Sequence, residues 1–128
     1  MPLHSFFRNR EDIEAPTIYS GSSSGSITGA AVRCHHWEGP SVMFKESASG
    51  AGTLSGAKIQ TSMDGATGWV DVENFPASPA DPANNEIAVP ETMLMRFVRY
   101  TATVSGGSKT VSVTASSRRK FYDWDLAS

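Results

Sequence analysis

Four side chains that can bind a metal ion lie close together in the stretch CHHWEG. They are Cys34, His35, His36 and Glu38, and thiolate, imidazole and carboxylate groups are common zinc ligands. Successive side chains of a strand point to opposite faces, so His35 and His36 cannot both reach one ion without a kink. Cys34 and His36 could share a face, but two ligands do not complete a tetrahedral site. We therefore expect no metal and no cofactor here, and interpret Cys34 as a buried thiol.

The same region resembles the start of the first motif of the cupin family, a group of jelly-roll proteins. Gly29 is followed after five residues by His35, as in that motif. Trp37 then stands where the second histidine is required, and no histidine follows His36 to supply the second motif. The sequence therefore argues against a cupin enzyme.

Other catalytic arrangements are equally weak. Serine is so abundant that a Ser-His-Asp triad cannot be inferred without geometry. The carboxylates of Asp64, Asp71 and Glu73 lie near a turn and on an exposed strand face, unlike a glycosidase pair. The stretches SGSSSGS and SGGS lack the lysine or helix start of a phosphate-binding loop. We predict that the chain is not an enzyme; stoichiometric metal in purified protein would revive a metal enzyme centred on CHHWEG.

Length and charge narrow the class of protein further. The chain has 128 residues and a formal net charge of −2, which suits one domain and does not suit a nucleic-acid binder. One cysteine excludes an intramolecular disulfide. No apolar run approaches the roughly 20 residues of a membrane span. The first residues, MPLHSFFRNREDIE, lack a secretory apolar stretch, so we expect no signal peptide, no membrane partner and synthesis in a cytosol.

Alternating apolar and polar residues indicate strands rather than helices. GAKIQTSMDG places Ala57, Ile59 and Thr61 on one face, and WVDVENF alternates in the same way. Asp64-Gly65 supplies a turn, and the three prolines of residues 76–85 indicate a surface loop. About seven or eight short strands predict an all-β fold, a single antiparallel β-sandwich that is jelly-roll-like.

The stretch RFVRYTATVSGGSKTVSVTA predicts a two-stranded hairpin. Apolar residues, with Arg96 among them, fall on one face of each half. Thr and Ser residues fall on the other face, where Met93, Met95 and Phe97 join them. The glycine-rich residues 105–108 join the halves. The apolar face of this predicted hairpin consists of Leu94, Val98, Tyr100, Ala102, Val104, Val111, Val113 and Ala115.

The two ends of the chain differ from the patterned centre. We predict an N-terminal arm (1–25), a β-sandwich domain (26–117) and a C-terminal tail (118–128). The arm holds two adjacent phenylalanines, and the tail, RRKFYDWDLAS, mixes cations and aromatics with acids. Arginine and aromatic side chains are enriched at interface hot spots. We therefore predict a protein interface formed by Phe6, Phe7, Arg8, Arg118, Arg119, Phe121, Tyr122 and Trp124.

Two stretches resemble small β-sandwich proteins encoded in the structural gene clusters of tailed bacteriophages. They are AKIQTSMDGATGWVDV and, after a proline-rich gap, MRFVRYTATVSGGSKTVSVTA; the resemblance covers residues 54–116. Several proteins of that group are capsid cement (decoration) proteins with jelly-roll folds. They commonly sit as trimers over junctions between major capsid subunits.

The resemblance implies a viral structural protein that binds the outside of an assembled phage capsid and bridges major capsid subunits. The implied partners are the major capsid protein and two further copies of the chain, in a homotrimer. The implied location is the capsid surface of the virion, with assembly in the host cytoplasm.

Two alternatives stay open from the sequence. A carbohydrate-binding module could stack sugar rings on Trp37, Trp69 or Trp124, although large aromatics mostly pack in or beside a core. A head–tail or tail structural component could use the same fold. No nucleic-acid partner is expected, whereas contact with a glycan is allowed.

Overall fold

A computed structural model of the protein describes residues 13–14, 16–37, 39–77 and 82–118. These residues are almost entirely β structure, and they contain no helix that is long and apolar enough to cross a membrane. One 3₁₀ turn spans Glu91–Met93. The strands are β1 (Ile13–Glu14), β2 (Thr17–Ser23), β3 (Ser26–Thr28), β4 (Val32–Arg33), β5 (Ser41–Ser49), β6 (Thr53–Ser62), β7 (Val70–Asn74), β8 (Ala83–Pro90), β9 (Phe97–Ser105) and β10 (Lys109–Arg118).

The strands form two antiparallel sheets that pack face to face. Sheet A has the order β1-β10-β5-β8, with β2 also paired to β10. Sheet B has the order β3-β9-β6-β7, with β4 also paired to β9. The predicted all-β sandwich is therefore confirmed.

The pairing is nested, which defines the topology as a jelly roll. The outermost pairs are β1 and β2 with β10, inside them β3 and β4 pair with β9, and then β5 pairs with β8. The innermost pair is β6 with β7, the one case among the described strands in which sequence neighbours are hydrogen-bonded to each other. The chain is thus one long hairpin wrapped into a sandwich.

The core lies between the two sheets and follows the alternation of the strands. In β5 every second side chain is buried, and Val42 and Phe44 are fully so. In β10, Val111 and Val113 are fully buried in the same way. Burying a side chain of this kind contributes roughly 1.5–3 kcal/mol, so the inner faces of the strands account for much of the stability.

The predicted hairpin of residues 96–115 is wrong, although the apolar side chains that it placed on one face do point to the core. β9 lies in sheet B and β10 lies in sheet A, and they are not hydrogen-bonded to each other. β9 instead pairs with β6, and β10 with β5. Alternation shows which side chains point to the core, but in a sandwich both sheets point apolar side chains at the same core.

The sheet also extends beyond the predicted domain boundaries. Thr17–Ser23, assigned to the N-terminal arm, form β2 and bury Ile18. Arg118, assigned to the tail, is the last residue of β10. Residues 83–85, assigned to a loop, begin β8. The Ser- and Gly-rich composition of residues 20–25 predicted a flexible segment, but backbone pairing to β10 holds β2 in the sheet. The side chains also meet, with Ser22 Oγ 2.7 Å from Thr110 Oγ1.

Candidate functional site

The ends of the described chain meet at one corner of sheet A, which we name the terminal corner. It consists of β1 and the last two residues of β10, with Ile13 opposite Arg118 and Glu14 opposite Ser117. Opposite Cα atoms of antiparallel strands lie about 4.5–5.5 Å apart. The chain therefore continues towards residues 1–12 and towards residues 119–128 from neighbouring positions.

Most of the predicted interface residues lie outside the described residues. The structure places one of them, Arg118, at the terminal corner as the end of β10. It does not show whether the others come together. Those outside the described residues are Phe6, Phe7, Arg8, Arg119, Phe121, Tyr122 and Trp124.

The outer face of sheet A beside the terminal corner carries an exposed methionine. Met43 in β5 is 39% exposed and is paired with Ser116 on one side and Ala88 on the other. All three side chains are exposed. This surface is uncharged and adjoins the point at which both ends of the chain leave the sheet.

The stretch CHHWEG does not assemble a metal site among the described residues. Cys34 is buried, and its Sγ–H donates to the carbonyl of Met95 at 3.3 Å. Burial, with a smaller effect of Glu91, raises the pKa of this thiol to about 12. His35 and His36 are exposed and contact each other edge to face, with ring centroids 5.5 Å apart. Across the described residues, no group of three or more His, Cys, Asp or Glu could hold a metal ion.

The two tryptophans within the described residues are occupied by the protein itself. Trp37 is 2% exposed and packs against Phe44, with ring centroids 6.3 Å apart. Trp69 is half-buried, and the guanidinium of Arg99 lies 4.2 Å from its ring centroid. Trp37 is therefore closed to a sugar ring, and one face of Trp69 is covered. Trp124 lies outside the described residues.

A polar network crosses the outer face of sheet B. The amide nitrogen of Gln60 donates to Asp71 Oδ1 at 2.8 Å, and Lys58 Nζ donates to Asp71 Oδ2 at 3.1 Å. Arg99 Nε donates to Gln60 Oε1 at 2.8 Å. Gln60, followed by Lys58, lowers the pKa of Asp71. These contacts tie β6, β7 and β9 together, which makes Asp71 a structural carboxylate.

Asp64 organises the connection between β6 and β7. Its Oδ1 accepts the backbone N–H groups of Ala66 at 2.9 Å and Thr67 at 2.8 Å, and its Oδ2 accepts the Thr67 hydroxyl at 2.9 Å. The N–H groups of Thr67 and Ala66 hold the pKa of Asp64 well below its usual range. Ser62 Oγ donates to the Thr67 carbonyl at 2.5 Å and closes the same loop.

One buried carboxyl group links the two sheets, and the sequence interpretation did not identify it. Glu46 in β5 is 1% exposed. Tyr100 Oη, from sheet B, donates to Glu46 Oε2 at 2.5 Å, and Asn85 Nδ2, from β8, donates to Oε1 at 2.9 Å. Burial, assisted by Glu46, raises the pKa of Tyr100 above its usual value. The hydrogen bond between Tyr100 and Glu46 therefore joins sheet B to sheet A inside the core.

The sequence does indicate that Glu46 points to the core. In SVMFKESAS, the buried positions are Val42, Phe44, Glu46 and Ala48, so the alternation that predicts the strand also places Glu46 on its apolar face. A buried acid that lies on an apolar face requires hydrogen-bond partners. Its partners cannot be identified from β5 alone, because they lie on β8 and β9.

Comparison of the chain with protein-family models, with curated proteins and with solved structures finds no match. The fold and the described contacts define the class of the protein as a jelly-roll β-sandwich.

Proposed function

We propose that this protein is a viral structural protein that binds the outside of an assembled phage capsid. It stabilises the shell by bridging major capsid subunits, as a cement or decoration protein, and it acts as a homotrimer. The observation that supports this proposal most is the terminal corner. The pairing of Ile13 with Arg118 starts both aromatic- and arginine-containing segments from one place on the sandwich.

Starting from one corner matters for binding because the two segments can engage neighbouring sites on the same partner. Once one segment binds, the other is held at a high effective concentration. Three copies in a trimer multiply this effect. A ligand that binds only the assembled lattice stabilises that lattice by RT ln(1 + [L]/Kd), which is the physical basis of a cement role.

The described part of the molecule is consistent with a scaffold for attachment. The carboxylates of Asp64 and Asp71 are engaged in loop and sheet contacts, and Cys34 is a buried thiol. Jelly rolls occur in viral capsid proteins and in lectins. Because a fold does not determine function, the proposal rests on the terminal corner and on the composition of the two segments.

The experiment that tests this proposal removes residues 119–128, which leaves β10 intact. We expect a folded sandwich, monitored by circular dichroism, and strongly reduced occupancy on purified cognate capsids in co-sedimentation. The matched control is Thr103→Ala, an exposed change on the outer face of sheet B, which should keep full occupancy. Full occupancy of the truncated chain would contradict the role of the tail.

The mass of the protein in solution tests the trimer separately. Light scattering should give about three times the 13.7 kDa of one chain. A monomer would instead favour the carbohydrate-binding alternative, for which glycans should change the fluorescence of Trp69 or Trp124. Binding to purified tails but not to capsids would favour a head–tail or tail component.

A further inference from the structure

A cleft of about 200 Å³ opens where the edges of the two sheets face each other. One wall is formed by Asn74 and Phe75, which end and follow β7, and the other by Ala83 and Asn85 of β8. Glu46 lines its inner end. Along β5, Ala48 pairs with Ala83 at this end, whereas Val42 pairs with Ser117 near the terminal corner. The cleft is therefore separate from the proposed attachment site.

Each of the two carboxyl oxygens of Glu46 meets one hydrogen-bond partner. Both of its partners, Tyr100 Oη and Asn85 Nδ2, act as donors, one to each carboxylate oxygen. A carboxylate has about four lone-pair sites, so roughly two further donors can be accepted.

The described part of the chain supplies no cation to this carboxylate. Its ion pairs are Lys45 with Glu86 and Lys58 with Asp71, both on exposed surfaces. Buried charges are normally paired, because desolvation of an isolated charge is costly. The inner end of the cleft thus combines a carboxyl group that has no cation among the described residues, spare lone pairs and space.

We propose that the cleft binds a primary ammonium group carried on a short alkyl chain. The ammonium group has three donors and supplies the missing positive charge to Glu46. The alkyl part lies against Phe75 and Ala57, which are apolar lining residues. The volume of about 200 Å³ is several times the roughly 30 Å³ that one water molecule occupies in the liquid, so the cleft has room for n-butylammonium or a lysine side chain.

A divalent metal ion fits this cleft less well. Calcium takes six to eight oxygen ligands, commonly including several carboxylates. Glu46 is the one acidic residue in the described lining of the cleft. A single buried carboxylate beside an apolar wall matches one monovalent organic cation better.

The test is an NMR titration of the full chain with n-butylammonium chloride. We expect saturable shifts of the backbone amides of Asn74 and Phe75 and of the side-chain amide of Asn85. Neutral n-butanol, which has the same length but no charge, should bind at least tenfold more weakly. Equal affinity for the alcohol, or no saturable shift with the amine, would overturn the proposal.

Two variants test separately whether binding needs the carboxylate of Glu46 and the open volume of the cleft. Glu46→Gln should weaken amine binding at least tenfold, and unchanged binding would overturn the proposal. If that variant fails to fold, Ala77→Trp keeps Glu46 and fills the exposed mouth of the cleft. Ala77→Trp should abolish binding, whereas Ala88→Trp on the outer face of sheet A should not. Equal binding by these two variants would also overturn it.

Two sources of the ammonium group can be distinguished with the same assay. Nα-acetyl-lysine methylamide represents a lysine side chain of a partner protein, and putrescine represents a free amine. Tighter binding of either one supports the site and identifies its source, and binding of neither would contradict it. No capsid is used, so failure here leaves the proposed capsid function unaffected.

Discussion

Two glycine-containing connections, which look alike in sequence, act in opposite ways in this protein. Residues 63–69 join β6 to β7 and return the chain within sheet B. Residues 106–108 join β9 to β10 and carry the chain from sheet B to sheet A. The first is the tip of the wrapped hairpin, and the second is an arch between the sheets.

The tip is held by its own side chains, whereas the arch is held by distant backbone. In the tip, Asp64 accepts hydrogen bonds from residues two and three positions along the chain. In the arch, the carbonyl of Ser108 accepts the N–H of Gly52 at 2.9 Å. The buried Lys109 also donates from Nζ to the carbonyl of Gly50 at 2.9 Å. A turn that is held by contacts between neighbouring residues can be predicted from sequence. A connection that is held by residues far away along the chain cannot.

Glycine is required at the arch because two connections touch there. A Cβ on Gly52 would lie 2.9 Å from the carbonyl carbon and oxygen of Gly107, and a Cβ on Gly50 would lie 2.7 Å from the Ser108 oxygen. Real Cβ atoms are essentially never found so close to backbone. The glycines thus allow the connection between β5 and β6 to pack against the arch.

The largest expected effect comes from disulfides that report which strands are neighbours. Ser47→Cys with Ser112→Cys joins paired positions of β5 and β10, where Cα separations of about 4.5–5.5 Å allow a disulfide. Thr101→Cys with Ser112→Cys would face each other only in a β9–β10 hairpin. We expect near-complete oxidation of the first pair and none of the second, measured by counting free thiols with mass spectrometry. The reverse result would contradict the arch.

A smaller but still large effect is expected from Gly52→Ala. The added methyl group meets the backbone of Gly107 and the side chain of Val104, so the arch must shift. Overpacking of this kind destabilises by about 1–3 kcal/mol, which chemical denaturation can measure. The control is Gly25→Ala, where an added Cβ meets nothing within 4 Å. Equal stability of the two variants would show that the arch tolerates displacement.

The tip should respond to pH through Asp64. Its pKa is lowered in the folded protein from an ordinary value of 3.8, so its contribution to stability is complete above about that pH. The contribution declines as the pH falls below this value, because the unfolded chain is protonated first.

We expect Asp64→Asn to remove this pH-dependent part while the asparagine oxygen still accepts the loop amides. Urea unfolding at pH 6 and at pH 2.5 checks the expectation. The midpoint of the unaltered protein should fall more steeply than that of Asp64→Asn. Parallel changes in the two proteins would mean that the charge of Asp64 does not stabilise the tip. At pH 6 the variant should be affected less than Gly52→Ala.

The sequence predicted the faces of the strands well because alternation is a local property. The inward positions of β6, including Ala57, Ile59 and Thr61, are buried as expected. The partner of each strand was not predictable in the same way. Apolar faces of β9 and β10 are equally compatible with one sheet or two, and the arch that decides between them depends on Gly50 and Gly52.

The buried polar site shows the same limit at the level of single residues. The inward position of Glu46 follows from the alternation of β5, but Tyr100 and Asn85 lie 54 and 39 positions away along the chain. The covered face of Trp69 likewise depends on Arg99, which belongs to another strand. Sequence periodicity places a side chain on a face, and only the nested topology determines what it meets there.

The smallest expected effect on stability comes from the contact between Trp69, at the end of the tip, and Arg99 of β9. Trp69 is the last residue of the tip, and Arg99 of β9 covers its ring while also binding Gln60. Arg99→Gln should destabilise by no more than about 1 kcal/mol, as is usual for exposed cation–π contacts. The substitution should nevertheless shift the NMR signal of the Trp69 indole N–H. This signal is assigned by its absence in Trp69→Phe. Arg33→Gln removes a cation from Phe97 instead, and an equal shift of the Trp69 signal in that variant would show that Arg99 has no specific contact with the tip.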